Sequence, residues 1–321
     1  MTQWIPVLKG LATYIPGLYT VMARRKIVRS GDAAYYYELW IKHLSLLWAS
    51  GMRSMPKSMA EFGPGQSLGL GIAALLSGVG HYYALDVVLF ESPDKSLAML
   101  DAMIAMFHRR AGISRPHTPS FDQYLDANRF PSHILTDERL AESLAPERIA
   151  LIRAALMQRA DKHSTVSVQY IAPWHDNDAL PNNSIDVIIS HTVMEYVVDL
   201  DDIYKTCSGW LNVNGWMSHQ IDFSSHDITH AWNGTWAYSN SAWKMVTGKR
   251  PYFLNRQPCS QHISVINQSG FDIRCAIQNK RTDGLSRHQL NRAWQSLSDD
   301  DIQCAGLFVQ AQKRADATLN Y

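Results

Sequence analysis

From Ser58 onward the chain is punctuated by short apolar runs, each closed by a turn and followed by apolar residues at helical spacing. The runs are Met59–Phe62, Tyr82–Val88, Val166–Ile171, Ile185–Ser190, Trp216–Ile221, Ile273–Ile277 and Leu307–Ala311. Seven strands alternating with helices predict βαβ units and a mainly parallel α/β sheet. Residues 1–57 lack this alternation and place Tyr35, Tyr36, Tyr37, Trp40 and Trp48 at near-helical spacing, which predicts an N-terminal helical cap. The domain proper then runs over 58–321. Residues 91–165 carry helical patterns (Leu97, Leu100, Met103, Ile104 and Phe107, then Ile149, Ile152 and Leu156), too long for one crossover, and are read as a helical insertion. Residues 223–257 are polar and aromatic with little periodicity, the texture of a functional loop or lid.

Composition narrows the class. With 30 Lys+Arg against 29 Asp+Glu in 321 residues, no global field favours nucleic acid, and no basic stripe or nucleic-acid module is evident. Cys207, Cys259, Cys275 and Cys304 are far apart and form no C-x-x-C pair, so they read as buried or free thiols in a reducing compartment. Residues 4–23 are mostly apolar but are interrupted by Pro6, Lys9, Gly10, Pro16 and Gly17, which falls short of a spanning helix. Arg24, Arg25 and Lys26 follow the apolar stretch, whereas a secretory signal places its basic residues first. A cytoplasmic protein is expected, with contact between the N-terminal segment and a membrane surface left open.

The sharpest chemistry lies at Glu61-Phe-Gly63-Pro64-Gly65-Gln-Ser67-Leu68-Gly69, directly after the first strand and at the opening of a helical run. Gly63 and Gly65 allow a tight turn and a close approach of backbone to ligand. The following helix offers unpaired N–H groups. A glycine-rich turn alone also suits dinucleotides and phosphates. Two acids sharpen the reading. Glu61 precedes the first glycine by two residues, and Asp86 ends the second strand, 23 residues after Gly63. A carboxylate at the second position can accept hydrogen bonds from ribose hydroxyls. The spacing G-x-G-x-x-x-G differs from the dinucleotide pattern, and an acid before the glycines suits a cationic cofactor better than a pyrophosphate.

These residues resemble the first motif of the class I S-adenosylmethionine-dependent methyltransferases, E/D-x-G-x-G with a ribose acid on the next strand. Residues 180–197, which include Asp186, Ser190, His191, Glu195 and Tyr196, resemble the family's fourth-strand segment, with Tyr196 where a histidine is common. The resemblance covers about residues 58–222 and implies a Rossmann-like seven-stranded sheet binding S-adenosyl-L-methionine. It implies cofactor contacts from Glu61, Gly63, Pro64, Gly65, Ser67 and Leu68 around the first turn. Further contacts fall to Asp86 and Val87 after the second strand, Ala172 and Pro173 (or Asp176) beside the adenine, and Ser190. Many relatives carry an aspartate where Ala172 stands.

Acceptor-facing residues are expected at the carboxyl ends of the fourth and fifth strands. His219-Gln-Ile-Asp222-Phe-Ser-Ser-His226 ends the fifth strand. His226 or His219 can serve as a general base oriented by Asp222. Alternatively the three form a divalent-metal site, or His219 packs inward while Asp222 caps a turn. His191, just past the fourth strand, is a further acceptor candidate. The I-D-x-x-x-H string and Asn255-Arg256 resemble a bacterial subgroup associated with glycan and secondary-metabolite pathways. Trp232, Trp236 and Trp243 can stack on an acceptor, anchor at a membrane interface, or pack their loop onto the sheet. The expected activity is O- or N-methylation of a small molecule with His226, Asp222 and His191 on the acceptor side and no metal. The alternatives are a non-catalytic partner subunit with this fold and a nicotinamide-dependent oxidoreductase, the latter disfavoured by the glycine spacing and the lack of a Tyr-x-x-x-Lys pair.

Overall fold

The computed structural model describes residues 4–15, 31–65, 68–89, 92–113, 129–158, 164–174 and 178–315. All seven expected strands form: β1 (Ser58–Phe62), β2 (His81–Leu85), β3 (Ser167–Ile171), β4 (Ile185–His191), β5 (Leu211–Asp222), β6 (Phe271–Lys280) and β7 (Cys304–Lys313). They make one sheet in the order β3-β2-β1-β4-β5-β7-β6. Strands β1 to β5 pair in parallel, and β7 runs antiparallel between β5 and β6. This order with an inserted antiparallel strand is the class I methyltransferase fold.

Helices cover both faces. On one lie α2 (Ala33–Ser50), α3 (Gly69–Leu75), α4 (Pro93–His108), α5 (Asp137–Ser143) and α6 (Pro146–Gln158), while α1 (Trp4–Ala12) packs away from the sheet. Side chains of α2, α3, α4 and α6 share a core with Met59, Tyr82, Ala84, Val168, Val187 and Ile189 of the sheet. The helices between β2 and β3 therefore join the layer that covers the sheet. The opposite face carries α7 (Leu200–Trp210) and α9 (Cys259–Gln268) against Ala60, Phe62, Ile188, Met217, Ile221 and Val309. Period-two alternation sends Met59 and Glu61 to one face and Ala60 and Phe62 to the other.

Helix α2 starts where Asp32 caps it, accepting from the Tyr35 amide at 2.8 Å, and stops at Gly51, whose φ of 123° no L side chain favours. Buried polar contacts bind it to β5: Lys42 Nζ donates to Gln220 Oε1 at 2.7 Å, and His43 Nδ1 bonds Ser218 Oγ at 2.7 Å. Helix α1 packs against α8 (Asn240–Thr247), where a Cβ on Gly10 would stand 2.0 Å from the Met245 carbonyl. The short α10 (Asp299–Gln303) precedes β7.

Candidate cofactor and acceptor site

The strand order reverses between β1 and β4, and in open α/β sheets the crevice for a ligand lies outside the carboxyl ends at such a switch point. Register aligns four strand ends there: Phe62 faces Leu85 and Ser190, and Leu85 faces Ile171. The glycine turn opens at this rim. Gly63 and Gly65 have φ of 67° and 69°, and Leu68, before α3, adopts the left-handed region at 52° without a side-chain cap. Gly63 is exposed while Pro64 is buried. Ser67 and Asp176 lie outside the described residues.

Asp86 follows β2 at this rim. Its Oδ1 accepts from the Val87 amide at 2.7 Å and the Val88 amide at 3.4 Å, and its backbone carbonyl accepts from the Trp174 amide. Burial raises its pKa, and the surrounding N–H groups and the Tyr170 hydroxyl oppose that rise. Ala172 and Pro173 lead into Trp174, whose ring stacks on Phe62 at 5.1 Å. Thus Gly63, Gly65, Asp86, Val87, Ala172 and Pro173 do converge at one rim. The group best placed to hold a ribose is Asp86, since its carboxylate is preorganised by two backbone donors.

Glu61 is placed differently from an acid lining an open crevice. Only 4 % exposed, it sits beneath the turn, with Tyr82 Oη donating to Oε2 at 2.6 Å. Burial first, and then the neighbouring Asp86, pushes its pKa up to about 8. Ser190 is also fully buried, its Oγ 2.8 Å from His219 Nδ1, so its side chain serves the interior.

Helix α2 contributes residues that helical spacing alone made look like core. A Cβ on Gly69 would stand 2.3 Å from the Tyr36 ring, and one on Gly65 would touch the Tyr36 hydroxyl at 3.8 Å. Tyr36 therefore lies against the glycine turn. Beside it, Tyr35 meets the His191 ring edge-on at 5.9 Å. His191 has no hydrogen-bond partner at Nδ1, and burial, aided by the Lys42 charge, pulls its pKa down to about 3. Lys42 itself is pulled down to about 7 by burial.

A second cluster follows β4 and β5. His226 Nε2 lies 3.6 Å from Asp222 Oδ2 and 3.7 Å from Glu195 Oε1, while its Nδ1 is 3.3 Å from the Tyr196 hydroxyl. Asp222 Oδ1 accepts from the Ser224 amide at 2.8 Å and so closes a turn. Backbone strain concentrates at this rim: Thr192, His226, Asp227 and Arg256 all have φ between 46° and 64°. Such residues cost about 1–3 kcal/mol each and persist where surrounding structure over-determines them, often at functional sites. His219 does not join the cluster. Three residues from Asp222 on a strand, it points to the opposite face, against Tyr204, and burial pulls its pKa down to about 3.

Glu195, Tyr196 and Asn255 complete the cluster. Asn255 Nδ2 donates to the Met194 and Val197 carbonyls, and its amide donates to the Glu195 carbonyl, which fixes the segment carrying Glu195. The Arg256 guanidinium lies 4.9 Å from both the Trp243 and Trp294 rings and donates to Thr235, Tyr238 and Asn240. Trp232, Trp236 and Trp243 are buried, and the last two donate to backbone carbonyls of Arg256 and Leu254. Trp243 packs with Val7, Tyr238 and Val246, and Trp236 packs with Leu290 and Ile302. Two hollows meet at Asp222 and Ser224. One, beside Glu195, has room for a single group the size of a water molecule; the other, between the ends of β5, β6 and β7, is about 230 Å³.

No family model and no curated protein matches the chain. Among solved structures it is similar to an S-adenosylmethionine-dependent methyltransferase from Mesorhizobium loti, at 14% identity and a TM-score of 0.42, covering 85% of this chain and 98% of that one. It is also similar to Haemonchus contortus phosphoethanolamine N-methyltransferase 2 in complex with S-adenosyl-L-methionine, at 12% identity and 0.41, covering 88% and 56%. A third is a geranyl diphosphate methyltransferase, at 11% and 0.42, covering 87% and 77%. At TM-scores this low the likeness is loose, and the fold is defined by the chain's own strand order.

Proposed function

We propose that the chain is an S-adenosyl-L-methionine-dependent methyltransferase acting on a small-molecule acceptor. The observation that carries this is the glycine turn after β1 facing Asp86 after β2 at the switch point of a β3-β2-β1-β4-β5-β7-β6 sheet. Asp86 would hold the ribose hydroxyls, and Gly63 and Gly65 would admit the ligand close to the backbone. Glu61 supports the turn from below through Tyr82. When bound, the cofactor supplies an electrophilic methyl group on a sulfonium.

The chain's residues then have to position a nucleophile in line and take its proton. His226, held between Asp222, Glu195 and Tyr196, is the proposed base. His191 is proposed to face the acceptor as a neutral imidazole, since burial opposes its protonation. Residues 1–57 act as a cap over a domain spanning 58–321, with Tyr35 and Tyr36 closing on the turn and on His191. No helix among the described residues is long and apolar enough to cross a membrane. Trp4, Ile5, Leu8 and Leu11 of α1 are nevertheless 45–69% exposed, which supports contact of this face with a membrane surface.

Thermal unfolding with and without ligand tests the cofactor reading. A ligand at 100 times its Kd stabilises by about 2.7 kcal/mol. S-Adenosylhomocysteine should raise the midpoint and NADH should leave it alone. A shift with NADH and none with S-adenosylhomocysteine would favour the oxidoreductase; silence with both would favour a non-catalytic subunit.

A further inference from the structure

Glu195 is the least explained buried group near the acceptor side. Its side chain is almost wholly buried, and neither carboxylate oxygen has a hydrogen bond of good geometry, although the backbone amides of Glu195 and Asp222 approach it. Burial pushes its pKa up to about 8, with the Asp222 charge adding to the rise and those backbone amides opposing it. His226 Nε2 lies 3.7 Å away, beyond hydrogen-bond length, and 3.6 Å from Asp222 Oδ2. The segment cannot readily turn away, because Asn255 clamps the Met194 and Val197 carbonyls on either side.

Both acids line the water-sized hollow, together with Phe223, Trp236 and Leu254. Arg256 lines it too; its terminal guanidinium nitrogens are occupied by Thr235, Tyr238 and Asn240, while its Nε is buried without a partner. The hollow thus presents two carboxylates and the Arg256 side chain among mixed polar and apolar walls, with room for one small hydrogen-bonding group. An ammonium is the size of a water molecule and carries three donors and a positive charge. Its body would extend past Asp222 and Ser224 into the larger hollow, which is lined by Ile221, Ile277 and Leu307 on the apolar side and by Gln220, Asn279 and Arg281 on the polar side.

We infer that the acceptor carries a primary ammonium that docks on Glu195 and Asp222, with its body in the adjoining hollow. The inference rests on the methyltransferase reading only for the word acceptor; the amine site itself stands on Glu195 and its hollow. Which atom is methylated does not enter.

The test uses calorimetric titration of the whole protein with n-butylammonium, n-butanol and butyltrimethylammonium, each with S-adenosylhomocysteine titrated separately. Butylammonium should bind, the neutral alcohol should bind far more weakly, and the trimethylated head should be too large for the hollow. Glu195→Gln should weaken butylammonium by about tenfold to a hundredfold, the value of a lost charge-assisted contact. S-Adenosylhomocysteine affinity in that variant reports folding, and Asp222→Asn carries the test if Glu195→Gln fails to fold. Equal binding of amine and alcohol, equal binding of the trimethylated cation, or full amine affinity in a folded variant would overturn the inference. Amine binding without S-adenosylhomocysteine binding would instead sink the methyltransferase reading and leave the amine site standing.

Discussion

Replacing Glu61 by Gln should make the protein more resistant to alkaline pH. The carboxyl lies buried beneath the glycine turn with Tyr82 Oη on Oε2, and its pKa is raised from 4.5 to about 8, chiefly by burial. The folded state therefore binds more protons than the unfolded state between those values, and stability falls as pH rises through that window. For a single group with these two pKa values, the linkage integral between pH 5.5 and 8.5 is about 3 kcal/mol. Gln keeps the shape and an acceptor for Tyr82 but cannot ionise, so Glu61→Gln should lack that loss. Urea midpoints at pH 5.5, 7 and 8.5 measure it. The two proteins should be close at pH 5.5 and diverge towards pH 8.5 in favour of the variant. Parallel curves would refute the reasoning and mean that the carboxyl is solvated or already charged in the fold.

Further outcomes follow from the same geometry. His226→Ala should slow methyl transfer by about 10²–10⁴, the usual contribution of a general base, while leaving S-adenosylhomocysteine affinity nearly unchanged; normal turnover would move the base elsewhere. Gly69→Ala should destabilise the protein and loosen α2 from the turn, because its Cβ would stand 2.3 Å from the Tyr36 ring; an unchanged urea midpoint would show that this contact is slack. Leu8→Ser together with Leu11→Ser should reduce sedimentation with anionic vesicles, since both side chains are exposed on α1; identical sedimentation, or none in either protein, would remove the membrane contact.

All seven strands were legible because each is a short apolar run ended by a turn; for β1 to β5, burial on both faces of a parallel sheet writes itself as such runs. The glycine turn and Asp86 were legible for a local reason: positive φ and a strand-end carboxylate are encoded within a few residues. What escaped depends on distance in the chain. Tyr36 reaches the turn, and Lys42 reaches Gln220, only because α2 lies across strand ends that follow it much later, and helical spacing cannot say what a face meets. The fate of His219 was available in principle, because three residues along a strand reverse the face and separate it from Asp222. Glu61 could have been read in the same way, since it shares the parity of Met59 and so points under α2 and α3. The burial of the Glu195 carboxyl had no sequence signal, because it is a property of packing.

The most direct measurement is calorimetric titration of S-adenosyl-L-methionine and S-adenosylhomocysteine into the wild-type protein and into Asp86→Ala, with NADH as control. The expected result is saturable one-site binding of the first two to wild type, no heat with NADH, and a loss of about tenfold to a thousandfold in the variant as one or two charge-assisted hydrogen bonds are removed. Absence of binding to wild type, or equal affinity in the variant, would contradict the assignment of the glycine turn and Asp86 as the cofactor site.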